Sequence, residues 1–395
     1  MLPDRIAIVG GGPAGAYAAA VLAAAGRNVL LFDEKLAWEK PCGGGLTDKA
    51  ISRWPFLREV SVERNWITDC ELIAPSGAKV RFDLDKPIAI FSRLTLNGLL
   101  LDRARTAGST IVRERVVAVE RQSGEWQIQS LSSRHSASYL IMASGARNSF
   151  RTTFAPNLGP ENFIVAVGYY IPGTSSTVQV KFVDGLHGYI WIFPRRHHFS
   201  AGICGHMQGK STAELRELLE QHLPEFGLAH ENGKFYAHIL PSLTPEALRS
   251  MSLCGDGWAM IGDAAGLVDA ITGEGLYYAL RSAELVAESI LSGSPETYAC
   301  AAQREIISEL ERAASIADRF YAGEWLGGSV LERMVQLTGS STRFRQLMRD
   351  LFSGAQEYST LKKRVYRSLP RIAAEALVST LWNSDPLPRS AAAAD

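Results

Sequence analysis

Cysteine is scarce and scattered in this chain. Five occur, at positions 42, 70, 204, 254 and 300, an odd number with no Cys-x-x-Cys pair. That argues against a disulfide framework and a cysteine-based zinc site, and fits a reducing compartment. Net charge is missing as well, because 41 basic residues cancel 41 acidic ones. No basic arm or stripe offers a footprint for nucleic acid. Long hydrophobic runs are absent: no segment holds the about 18 uninterrupted apolar residues of a membrane-spanning helix. The N-terminal apolar run is short and broken by glycines, so it does not read as a signal peptide. A cytoplasmic protein is expected, with peripheral membrane contact left open by alanine-rich and amphipathic stretches. His197 and His198 follow Arg195-Arg196 and read as a solvated turn. Neighbours in a strand point to opposite faces, so the histidine pair makes no metal site and no metal is expected. No internal repeat is visible.

What is present is a dinucleotide frame. Ile6-Ala7-Ile8-Val9 is a short apolar run that enters Gly10-Gly11-Gly12-Pro13-Ala14-Gly15. An alanine-rich stretch over 14–25 follows, stopped by Gly26, and a second apolar run, Val29 to Phe32, ends at Asp33. The order is strand, glycine turn, helix, strand, acid. Gly10 permits the tight turn, Gly12 lets a pyrophosphate approach the backbone, and Gly15 lets helix and strand pack closely. The helix N-terminus offers N–H groups and a positive dipole end to the phosphates. Asp33, 23 residues after Gly10, stands where an acid accepts hydrogen bonds from a ribose.

Further along, residues 36–48 are glycine-rich and read as irregular, able to press against a flat ligand. Short strands are expected over 67–91, a helix from Arg93 to about Gly108, and a β-hairpin from Ser109–Arg121 and Glu125–Leu131. Tyr139 to Ala143 reads as a buried parallel strand running into Ser144-Gly145. Strand-like, aromatic-rich segments at 163–172, 177–183, 188–194 and 198–204 predict an antiparallel sheet. A strand at 258–261 ends in Gly262-Asp263, and ligands of open α/β sheets sit at such carboxyl ends. The turn Thr272-Gly273-Glu274-Gly275 opens a helix at Leu276, whose N–H groups and dipole would face a developing negative charge. Beyond it the chain reads as helical almost to its end. At 395 residues it is too long for one compact domain. The expected organisation is a discontinuous nucleotide domain (1–60, 93–155, 255–295), an inserted antiparallel substrate domain (61–92, 156–254), a helical region (296–383) and a disordered tail (384–395).

The N-terminal glycine turn, the strand ending in Ala143-Ser144-Gly145 and the distal Gly262-Asp263 together resemble FAD-dependent enzymes of the p-hydroxybenzoate hydroxylase fold. Two tracts narrow the resemblance. Lys40-Pro41-Cys42-Gly43-Gly44-Gly45-Leu46 is similar to the Pro-Cys-Gly-Gly-Gly loop of the geranylgeranyl reductase family, and Tyr189-Ile190-Trp191-Ile192-Phe193-Pro194 to its Tyr-x-Trp-x-Phe-Pro pattern. One departure is Ala270, where related enzymes commonly carry proline. The fold implied is α/β, a Rossmann-type FAD-binding domain with an inserted antiparallel sheet and a helical C-terminal region. The resemblance implies that Asp33 holds the adenosine ribose and that Arg93 approaches the pyrophosphate or adenosine. Gly10, Gly12, Ala14, Gly15, Gly43, Gly44, Val116, Gly145 and Gly273 would contact FAD. Asp263 would bind the ribityl chain, and Gly275 and Leu276 would offer N–H groups to the isoalloxazine. Gly45, Tyr189, Trp191 and Phe193 would face the substrate, with Cys42 at the reacting centre. In a strand the three aromatics share a face, a pattern that serves a sheet core as well as an apolar tunnel.

The implied activity is saturation of isolated C=C bonds in a prenyl or similar lipid-like molecule by hydride transfer from flavin N5. An unactivated alkene develops no oxyanion, so catalysis rests on placing the bond in a dry pocket and on protonation. No second nucleotide fingerprint is present, so the electrons are expected from transient NAD(P)H or a ferredoxin-like protein. Two rivals share the FAD anchors: a flavin monooxygenase or halogenase acting on an aromatic, and a flavin-binding protein without catalysis. Halogenases of this kind carry Trp-x-Trp-x-Ile-Pro, from which Tyr189 and Phe193 depart.

Overall fold

The first strand, β1 (Arg5–Val9), follows an exposed arginine with four buried apolar residues. It lies between β2 (Asn28–Phe32) and Tyr139–Met142, parallel to both, with Ile6 opposite Val29 on one side and Tyr139 on the other. Both sheet faces are covered, which is why these strands are runs of Ile, Leu and Val with no polar alternation. The structure, a computed structural model, describes residues 4–59, 61–325 and 327–382. The tail expected to be disordered, 384–395, lies outside them.

Six strands form this sheet, in the order Cys254–Gly255, Trp258–Met260, Tyr139–Met142, β1, β2, Thr110–Val112. Three segments far apart in sequence therefore meet in one layer. Thr110–Val112 pairs in parallel with Leu30–Phe32, which corrects the hairpin expected over 109–131. Only Val116–Gln122 and Glu125–Ser130 form that hairpin, extended by Arg134–Ala137. A three-residue edge strand carries too little alternation to separate it from the next one.

Helix α1 (Pro13–Ala24) is buried over ten of its twelve residues, wedged between the sheet and two helices, Arg93–Thr106 and Leu276–Leu291. Alanine suits that place because it favours the helix and adds no bulk. Gly15 shows the limit: a Cβ there would stand 1.9 Å from the Gly10 carbonyl oxygen.

A second sheet has eight strands in the order Lys234–Pro241, Phe163–Pro172, His198–His206, Ile190–Pro194, Thr177–Lys181, Arg64–Ile73, Lys79–Phe91, Gly45–Leu46. Its joins are antiparallel except that Thr177–Lys181 runs parallel to Arg64–Ile73. Those two strands are separated by residues 74–176, which include two strands of the first sheet, so no hairpin fixes their relative direction. The glycine loop departs from expectation at its end, where Gly45 and Leu46 pair with Ile90 and Ala89. Helices Val330–Ser340 and Thr342–Ser353 cover one face of the sheet, with Met334, Leu347 and Met348 packed on Leu72, Phe82 and Ile88. Tyr358–Trp382 closes that layer, with Ile372 in the same core. No helix among the described residues is long and apolar enough to cross a membrane.

Candidate active site

The glycine turn opens the site. Gly10 has φ +109°, and a Cβ there would lie 2.3 Å from the Ala143 carbonyl oxygen, so the turn is pinned between β2 and the neighbouring strand. A Cβ at Gly12 would meet nothing within 4 Å. Gly12 caps α1 without a side-chain hydrogen bond, with Pro13 at the first helical position. Open space therefore faces the free N–H groups of a helix start, the setting a pyrophosphate needs. Asp33 accepts from the N–H of Gly11 at 2.7 Å, Lys35 at 2.8 Å and Leu36 at 2.6 Å. A carboxylate has about four acceptor positions, so one remains for a ribose hydroxyl.

One cavity of about 520 Å³ runs from this turn along one face of the second sheet to the C-terminal helices. Gly10, Gly12, Ala14, Asp33, Arg93, Gly145, Asp263, Gly273, Gly275 and Leu276 line it, together with Cys42, Gly43, Gly44, Gly45, Tyr189, Trp191 and Phe193. Of the residues picked from sequence, Gly15 and Val116 stand apart. Gly15 sits beneath the turn against Gly10, and Val116 is buried in the first core.

Lys40, Asp263 and His238 meet at mid-cavity. Lys40 Nζ lies 3.2 Å from Asp263 Oδ2. Burial alone would raise the Asp263 carboxyl, but the charges of Lys40 and Arg93 overcome it and hold the group below the usual carboxylate range. His238 is pushed down to about 4, first by burial and then by Lys40, and its buried Nε2 has no hydrogen-bond partner among the described residues. Neither Lys40 nor His238 was singled out from sequence. A signal for His238 existed: Tyr236, His238 and Leu240 alternate along one strand face and all border the cavity.

The Cys42 loop is held by a buried arginine. Arg195 is 1% exposed and pairs with Glu39 at 2.5 Å. It also donates to the Cys42 carbonyl at 2.7 Å, where Ser200 Oγ adds a second donor at 2.9 Å. Burial raises the Glu39 carboxyl, but Arg195, Ser92 and the Arg93 N–H outweigh it and leave it lowered. This corrects the solvated turn expected for Arg195-Arg196, of which only Arg196 is exposed. The glycines of the loop answer to protein neighbours. Gly44 has φ +85°, and a Cβ there would lie 2.0 Å from the Phe91 carbonyl oxygen; one at Gly43 would lie 2.7 Å from the Phe193 ring. Cys42 Sγ accepts from the Gly44 N–H at 3.3 Å.

Across the cavity stands the turn before helix Leu276–Leu291. Asp269 accepts from the N–H groups of Ile271 and Thr272 at 2.8 and 2.9 Å and from Tyr358 Oη at 3.2 Å. Burial raises its carboxyl. Glu274 accepts from Thr47 Oγ1 at 3.3 Å and is raised to about 7 by burial and by the Asp269 charge. Tyr189 Oη donates to the Thr272 carbonyl. Gly275 caps the helix without a side-chain bond, leaving the N–H groups at the helix start open to the cavity. Beyond the aromatics the wall turns wholly apolar, with Leu72, Ile88, Val178, Val180 and Phe182 from the sheet and Phe320, Met334, Met348, Leu351, Phe352 and Leu361 from the C-terminal helices.

Comparison with known proteins agrees with this architecture. A family model described as pyridine nucleotide-disulphide oxidoreductase matches residues 4–164. An uncharacterized protein of Methanosarcina barkeri is 30% identical over 80% of this chain and 83% of its own length. A geranylgeranyl diphosphate reductase of Synechocystis is 27% identical over 85% of this chain and 86% of its own. A geranylgeranyl bacteriochlorophyll reductase-like protein of Thermoplasma acidophilum shares the fold with a TM-score of 0.78 at 19% identity, covering 95% of this chain and 99% of that one.

Proposed function

From the chain's membership of the geranylgeranyl reductase family of FAD-dependent oxidoreductases, we propose that it saturates isolated C=C bonds in a prenyl chain. The observation that carries this reading is the single cavity, polar and glycine-lined at one end and wholly apolar at the other. The glycine turn, Asp33 and the start of α1 suit the ADP half of the cofactor. Asp263 and Lys40 suit its linking chain, and the free N–H groups ahead of Leu276 suit a flat ring carrying negative charge. Reduced FAD supplies the hydride in this chemistry.

The protein's own share is position, dryness and a proton. Trp191 and Phe193 flank the point where the polar and apolar parts of the cavity meet, so an alkene threaded along the apolar wall comes to rest beside the Cys42 loop. Gly202 makes room for Trp191, since a Cβ there would lie 2.3 Å from the indole. Arg195 and Ser200 hold the Cys42 carbonyl, which fixes where the thiol stands. The candidate proton donors at the cavity wall are Cys42, beside the point where the alkene would rest, and Glu274, whose carboxyl burial raises to about 7. The electron donor is external, NAD(P)H or a ferredoxin-like protein.

The test is anaerobic. The FAD-loaded protein, reduced with dithionite, is mixed with a geranylgeranyl compound. The expected result is return of the oxidised flavin absorbance and a product carrying added hydrogen pairs. Oxidation that needs oxygen and yields a hydroxylated product would replace this reading with a monooxygenase.

A further inference from the structure

Helix Tyr358–Trp382 has two unlike faces. Inward, Leu361, Val365 and Ile372 pack into the core beside the apolar wall, and Tyr358 and Leu361 border the cavity itself. Outward, Lys362, Lys363, Arg367 and Arg371 are exposed. Positions 363, 367, 371 and 374 follow a four- and three-residue spacing and lie along one row, with 362 and 366 in the row beside it. These four cations have no ion-pair partner among the described residues. The helix's other cation, Arg364, is committed to Asp350 at 2.6 Å. Its acid within the described side chains, Glu375, is turned to Ser341 at 2.6 Å and to Arg343 at 3.7 Å. In a chain with no net charge, a face of one sign reflects segregation of charge along the surface.

The same face carries apolar side chains that a solvated helix does not need. Tyr366 is 61% exposed and Leu377 63%, and with Leu131 they are the most exposed large hydrophobic residues described. Cations beside exposed apolar anchors on one helix face make an amphipathic surface suited to a headgroup layer. An acidic protein would satisfy the cations and leave Tyr366 and Leu377 unexplained.

We propose that the outer face of this helix docks the protein on an anionic lipid bilayer. The cavity wall built by the same helix is then held against the membrane. Only that link to substrate delivery rests on the proposed function; the docking itself does not.

The experiment is vesicle flotation of the full, FAD-loaded chain. Binding is expected to vesicles rich in phosphatidylglycerol, to fall with salt, and to be weak on phosphatidylcholine alone. Replacing the cations together (K362E, K363E, R367E, R371E) should lower the partition constant by at least about a hundredfold. That variant should keep its flavin spectrum and its turnover of a detergent-dispersed substrate. Tyr366→Ser with Leu377→Ser should weaken the binding that survives high salt. Failure of the wild-type chain to bind anionic vesicles overturns the proposal, as does equal binding by the charge-reversed variant. It is also overturned if that variant binds vesicles normally but no longer takes electrons from an acidic donor protein. Flotation reads none of these through prenyl reduction, so a chain that binds vesicles and reduces no prenyl substrate refutes the proposed function alone.

Discussion

Arg195 follows the Tyr-x-Trp-x-Phe-Pro tract, and its buried guanidinium is shared between Glu39 and the Cys42 carbonyl. The guanidinium is buried while Glu39 is partly exposed, so the carboxylate offsets a desolvation cost that falls mainly on the arginine. Arg195→Ala is expected to cost roughly 1–3 kcal/mol of stability by stripping a donor from the part-buried Cys42 carbonyl, read by urea denaturation, and to loosen the Cys42 loop. Arg195→Lys should recover only part, since an ammonium cannot fork to two acceptors. Removing both charges, as Arg195→Met with Glu39→Gln, should cost less than Arg195→Ala alone. A sign of this burial was present in the sequence. Arg195 directly follows strand Ile190–Pro194, and alternation carried one residue past the strand end gives it the face of Phe193. The doublet Arg195-Arg196 hid it, because adjacent cations read as solvent-facing.

Two elements bring oppositely behaving groups to the cavity. On the turn before Leu276, Glu274 is raised to about 7. A raised acid contributes stability that is complete below its ordinary value and is lost as pH rises through about 7. On strand Lys234–Pro241, His238 is lowered to about 4. A lowered base contributes stability above its ordinary value near 6.5 that is lost as pH falls toward 4. Between about pH 4.5 and 6.5 the two slopes oppose, so the wild-type midpoint should change little with pH through their joint action. Glu274→Gln is expected to unmask loss of stability on acidification over that range, and His238→Gln the opposite slope, by thermal unfolding in a pH series. If Glu274 is the proton source, Glu274→Gln also removes the fall in turnover above about pH 7. The positions of these elements were legible from strand alternation and the Gly-Glu-Gly turn. The chemistry was not, because both shifts arise first from burial by distant segments, to which Lys40 adds for His238.

Across the whole molecule, the apolar end of the cavity is made by apposition of the second sheet and the C-terminal helices. Met334, Met348, Leu72 and Ile88 line it and belong to one core, so added bulk there should shorten the space for a chain. Met348→Trp is expected to raise KM for a geranylgeranyl substrate more than for a geranyl one, at a stability cost of about 1–3 kcal/mol. Steady-state kinetics with both lengths checks it. Equal effects on the two would place the prenyl tail elsewhere.

Features governed by near neighbours along the chain are legible without the fold. Turn sterics fixed the glycine positions, as Gly10 and Gly44 show with positive φ and no room for a Cβ. Burial on both faces marked the parallel strands, and two-residue alternation marked the aromatic strand. These constraints act over a few residues, so they survive in a one-dimensional reading. Tertiary structure decided what fills the site. Lys40 meets Asp263 across 223 positions, Glu39 meets Arg195 across 156, and Tyr358 meets Asp269 across 89. It also decided that Thr110–Val112 joins the nucleotide sheet and that helices after residue 308 wall the cavity. Such pairings are selected by the packing of whole layers, where shape and burial decide which distant segments meet.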